Sequence, residues 1–218
     1  MSSIRIAIES TPKKTFASAL DWPGWSRSGK TEDAAIATLL SYADRYRAIV
    51  ARAGLTLPSS SEVEVIDRQP GDGSTEFGVP GRVHAVDHEP LEGDELERQV
   101  ALLTACWDEF FAVAARVTPE LKKGPRGGGR DRDKIVAHVV EADRNYARQL
   151  GVTTKPFALE PLDRDAFDVH WQAVLAVIPD YADGHTRTEK SWPLRYTIRR
   201  MAWHILDHAW EMEDKTLG

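Results

Sequence analysis

The chain contains one cysteine, Cys106. An intramolecular disulfide is excluded, which suits a reducing compartment. No run of about 18 apolar residues occurs, so no membrane-spanning helix is expected. The opening MSSIRIAIESTPKK lacks the apolar core of a signal peptide. The expectation is a cytoplasmic protein with no membrane partner. Basic excess is also absent: 28 Lys and Arg face 34 Asp and Glu, for a net charge of −6. A general nucleic-acid binder usually carries a basic stripe, so nucleic acid is not an expected partner. No G-x-x-x-x-G-K-[ST] pattern is present, which excludes a P-loop. No internal repeat is found.

What remains is ordinary globular material. Hydrophobic residues make up 42% and charged residues 28%. At 218 residues, one large or two small domains fit. Ile4, Ile6 and Ile8 alternate with Arg5, Ala7 and Glu9, the period of a half-buried strand. Thr15–Leu20 reads as a second strand and Ser61–Arg68 as a third. Between them, DWPGWSRSGK reads as a loop. Thr31 is placed to cap a helix over about 32–53 that stops at Gly54.

The segment 72–93 is rich in Gly, Pro and Asp and reads as a linker between domains 1–71 and 94–218. Arg82–Val86 is a candidate short strand inside it. Beyond it, four apolar stripes at helical spacing predict helices near 94–117, 132–150, 163–178 and from Pro193 onward. This predicts an α+β N-terminal domain (strand-strand-helix-strand) followed by an all-α four-helix bundle.

The last helix carries WHILDHAWE, which sets His204 and His208 four residues apart on one face. His138, in KIVAHVVEADRNY, lies on the apolar side of the second bundle helix. One imidazole from the second helix and two from the fourth can converge in a bundle core and ligate one ion. Each histidine alone also fits an ordinary core position. Asp207, Glu211, Asp143 and Glu141 flank the three and are candidates to orient an imidazole N–H. His170 is left out of the ligand set, and His84, His88 and His185 receive no role. Cys106 falls beside an apolar stripe and reads as packing.

Residues 94–214 resemble the DinB-like superfamily of metal-binding four-helix bundles. The resemblance is carried by AHVVEADRNYARQLG and MAWHILDHAWEME, with one histidine in the second helix and an H-x-x-x-H pair in the last. It implies a divalent metal on His138, His204 and His208. Zinc heads the expected ions, and nickel or iron also suit imidazoles. It further implies an S-transferase or isomerase that uses a low-molecular-weight thiol, with a small-molecule substrate. Two alternatives stand beside it. One is a non-catalytic stress or toxin–antitoxin-type interaction protein with a structural metal. The other is a metal-dependent hydrolase with Glu211 or Asp207 as base.

Residues 4–68 resemble HicB-like antitoxin domains. The matching residues are the strand IRIAIE and a Pro23-Gly24 loop leading to Gly29, Thr31 and Ala34-Ala35. With no DNA-binding extension after it, this module reads as a docking or dimerisation unit, with Trp22 and Trp25 as contacts and a homodimer as one arrangement. The basic stretch LKKGPRGGGRDRDK reads either as a solvated linker or as a loop that grips an anionic cofactor.

Overall fold

A computed structural model describes residues 3–58, 62–124, 128–156 and 164–217. It is an α+β protein in which a four-stranded sheet is followed by a helical C-terminal region. The alternating isoleucines form β1 (Ile4–Ser10). It pairs antiparallel with β2 (Thr15–Ala19) and parallel with β4 (Val63–Pro70). A bulge separates Ile6 from Ala7 on the β4 side. The Ser61 start expected for the third strand lies outside the described residues.

One expected loop is partly a strand. Ser26–Gly29 forms β3 on the outer side of β2, giving the order β3-β2-β1-β4. Gly24, at φ +94°, reverses the chain just before it, where an L side chain is rarely tolerated. SRSG lacks the apolar alternation that announces a strand, because its serines meet α7, described below, rather than an apolar layer.

The register assigns two different faces. Ile6 opposes Ala19 and Ile8 opposes Ala17, so this face is apolar. It carries α1 (Glu32–Ser41), capped by Thr31, whose hydroxyl accepts from the Ala34 N–H. The single helix expected over 32–53 is broken at Tyr42, and α2 (Ala43–Arg52) follows. The break sets the Tyr42 ring 5.2 Å from that of Trp210. The opposite face presents Glu9, Phe16 and Ser18. A half-buried strand should leave that face in water, yet Glu9 is 2% exposed. A helix from the far end of the chain covers it.

That helix is α7 (Leu194–Lys215), the centre of the C-terminal region. It packs on α4 (Gly93–Arg116) and α5 (Arg132–Ala147), and α5 also meets α6 (Asp165–Val177). Trp107, Phe110, Phe167 and Trp171 form an aromatic core between them, beside the fully buried Cys106. The Asp163 start expected for the third bundle helix lies outside the described residues. On its sheet side, α7 brings Trp203 against Phe16, with ring centroids 6.3 Å apart. Gly24 fits here for a second reason. A Cβ on it would lie 2.7 Å from Leu206 Cδ1 and 3.2 Å from the Ala202 carbonyl.

The segment 72–93 carries structure of its own. α3 (Gly73–Phe77) begins at Asp72 with a reciprocal capping box to Thr75. The short strand expected at Arg82–Val86 is instead a 3-10 turn, Ala85–His88, closed by the His84 N–H on Asp87 Oδ2. Glu9 accepts from Thr75 Oγ1 at 2.8 Å and from the Gly81 and Arg82 amides. These bonds satisfy a carboxylate that burial would otherwise penalise by several kcal/mol. His84 meets Asp67 of β4, and Asp87 forms a buried ion pair with Arg199 of α7. The segment is therefore tied to both the sheet and α7. Among the described residues, no helix is long and apolar enough to cross a membrane.

Candidate metal centre

The i,i+4 spacing on α7 and the inward face of α5 bring His138, His204 and His208 together. Their ring centroids are 5.1, 5.1 and 4.7 Å apart. One potential ligand atom from each lies within 4.8 Å of the others. Tetrahedral zinc at its usual bond length requires nitrogen separations of about 3.4 Å. The remaining closure is on the scale of side-chain rotation, so the three fit a divalent ion.

Their electrostatics suit the same task. Burial pushes the His204 imidazolium down to about 2, with His208 and His138 adding to the effect. His138 is lowered too, first by burial, then by His208 and Arg130. Both rings are thus neutral at physiological pH, the form in which imidazole donates to a metal. Glu211 Oε2 lies 2.7 Å from His208 Nδ1. This bond, ahead of burial and of Lys215, holds the Glu211 carboxyl down at about 2. An ionised Glu211 can only accept, so Nδ1 carries the proton and Nε2 is left to ligate.

A cavity of about 290 Å³ opens onto the three rings. Its wall combines distant parts of the chain: Phe77, Gly78 and Val79 from the α3 region, Arg130 ahead of α5, and Trp203 and Asp207 from α7. Three nitrogen donors beside an accessible cavity can hold an ion and leave a position for a ligand.

The other expected orienting residues divide. Asp207 lines the cavity but bonds Arg27 Nη1 at 2.8 Å, not an imidazole. Asp143 turns away from the cluster into the core. It is 2% exposed, and His170 Nε2 lies 2.8 Å from its Oδ2. Burial raises its pKa despite that bond. Glu141 is exposed and pairs with Arg144 at 2.6 Å. Asp143 and Glu141 therefore make their contacts away from the imidazoles: Asp143 is held in the core by His170, and Glu141, although one turn from His138, is engaged by Arg144. His170, bonded to Asp143 and Thr154, stands outside the cluster as expected. Arg27, Phe77 and Val79 were not anticipated at the site. Only the docking of α3 and β3 against α7 brings them there, and no local spacing announces it.

Comparisons with protein-family models, with curated proteins and with solved structures return no match. The fold and the cluster define an α+β protein whose helical part holds three histidines close enough to bind a metal ion.

Proposed function

We propose that this protein is a metal-dependent, thiol-using transferase or isomerase, built from a HicB-like sheet module and a DinB-like four-helix bundle. The observation that carries the reading is the convergence of three imidazoles on an open cavity. A structural metal usually has a closed fourth position, so the cavity weighs against the purely structural alternative. A divalent ion bound there supplies Lewis acidity that makes a coordinated thiol more acidic than its usual value of about 8.5.

The chain's own residues support the remaining requirements. His138 and His204 stay neutral and available. Glu211 orients His208. Cys106 is fully buried, and burial pushes its thiol far above the usual range, so it is unsuited as the nucleophile. An external thiol is the nucleophile this arrangement leaves room for. The hydrolase reading keeps one observation, Asp207 at the cavity wall. Its carboxylate is engaged by Arg27, which disfavours proton abstraction by it.

The test is cobalt substitution. Adding 2-mercaptoethanol to the cobalt-loaded protein near neutral pH is expected to raise a sulfur-to-cobalt charge-transfer band. Cys106→Ser is expected to leave that response intact. A silent spectrum in a stoichiometrically loaded protein would remove the thiol reading.

A further inference from the structure

We propose that the cavity beside the histidines takes a small organic anion with an apolar body, its acidic group seated between Lys14 and Arg130. The inference rests on the metal reading and adds the class of substrate. It starts from the shape of the groove. The histidine cavity shares Gly78, Trp203 and Asp207 with an adjoining cavity of about 320 Å³, lined also by Lys14 and Arg27. The two form one depression between the sheet and α7. Lys14, in the turn between β1 and β2, lies at their seam. Its Nζ is 3.2 Å from where a Cβ on Gly78 would sit.

The charge count is uneven. Apart from the imidazoles, the groups lining this depression that are charged at neutral pH are Lys14, Arg27, Arg130 and Asp207. Arg27 and Asp207 satisfy each other at 2.8 Å. Glu211, the other acid at the cluster, is used by His208 and Lys215. Lys14 Nζ and the Arg130 guanidinium have no ion pair among the described residues. A divalent ion on neutral imidazoles would add positive charge that no ligand offsets. Arg130 lines the same cavity as the three imidazoles. The surplus in the groove is therefore positive.

The donor inventory agrees. Trp203 borders both cavities, and the charged side chains beside it are three donors, Lys14, Arg27 and Arg130, against one acceptor, Asp207. Donors thus outnumber acceptors, which fits a ligand rich in acceptor oxygens. Phe77 supplies the apolar element. It lines the same cavity, yet 87% of its surface is exposed, as for an aromatic ring awaiting a partner. The β1–β2 turn and α3 thus give the sheet module a share in ligand recognition.

The experiment uses the zinc-loaded full chain, with zinc quantified in each sample. Tryptophan fluorescence is titrated with 3-phenylpropionate, 3-phenylpropanol and 3-phenylpropylamine, which share a body and differ in charge. The acid is expected to bind about tenfold more tightly than the alcohol, and the amine least. Lys14→Gln with Arg130→Gln is expected to abolish that preference with zinc content unchanged, and Lys14→Arg to keep it. Equal or undetectable binding of all three, or a preference that survives the double variant, overturns the proposal while retained zinc leaves the metal reading standing. A chain that holds no zinc sinks both.

Discussion

Glu211 and His208, one turn apart on α7, are joined by a 2.7 Å hydrogen bond that commits Nδ1 of the imidazole. The contact is local to one helix, yet it decides which nitrogen a metal would meet. Lys215 holds the other carboxylate oxygen at 2.5 Å. The carboxylate is thus fixed at both ends, and the ring cannot rotate without breaking it.

Metal content should follow this hierarchy. Purified protein is expected to carry close to one divalent ion per chain, and His204→Ala or His208→Ala to abolish stoichiometric binding. Glu211→Ala should keep the stoichiometry at saturating metal but weaken affinity about 10- to 100-fold, the usual cost of losing an imidazole-orienting partner. Chelator competition on the three variants measures both effects. Unchanged content in both histidine variants would show the cluster is not the site.

Gly24 tests how tightly the sheet docks on α7. Gly24→Ala faces a positive φ and a Cβ only 2.7 Å from Leu206 Cδ1. Strain and overpacking together should cost about 2–4 kcal/mol. Urea denaturation of the full chain reads this directly. A loss under half a kcal/mol would mean that the loop can move away from the helix at little cost.

Asp87 and Arg199 should govern the segment between the sheet and the C-terminal helices. Both are buried, at 0% and 7% side-chain exposure. Asp87→Ala strands the guanidinium and is expected to destabilise by about 3–5 kcal/mol. Replacing both residues with methionine should cost less, since no charge is left unpaired. Limited proteolysis should spare 72–93 in the native chain and cut there in Asp87→Ala. Rapid cleavage of the native chain in this segment would contradict its anchored arrangement.

His84 should give stability a pH dependence of defined sign. Burial, followed by Arg199, lowers its pKa despite the Asp67 contact. The unfolded chain gains a proton near pH 6.5 that the native ring refuses. Its contribution is present above 6.5 and is lost as pH falls below that value, at up to about 1.4 kcal/mol per unit until the native ring titrates. Thermal melts from pH 7.5 to 5 should be flatter for His84→Asn than for the parent at the same metal load. Parallel curves for parent and His84→Asn would refute the assignment.

The sequence by itself determined the elements that rest on local periodicity. Alternating isoleucines gave β1, and apolar stripes gave α4 through α7, because side-chain direction repeats every two residues in a strand and every 3.6 in a helix. The same rule put His204 and His208 on one face. It stopped short wherever polar residues pair across elements. Glu9 looked like a solvent-facing charge and Asp143 like a partner for an imidazole of the cluster, yet each is 2% exposed and bonded elsewhere in the interior. In sequence, a carboxylate met by buried donors is indistinguishable from one met by water. Arg27 and Asp207 lie 180 positions apart, and only the docking of β3 beside α7 brings them together. The cavity over the histidines has the same origin. Its walls come from the sheet side, α3 and α7, and their meeting depends on burying a polar sheet face whose partner no nearby residue reveals.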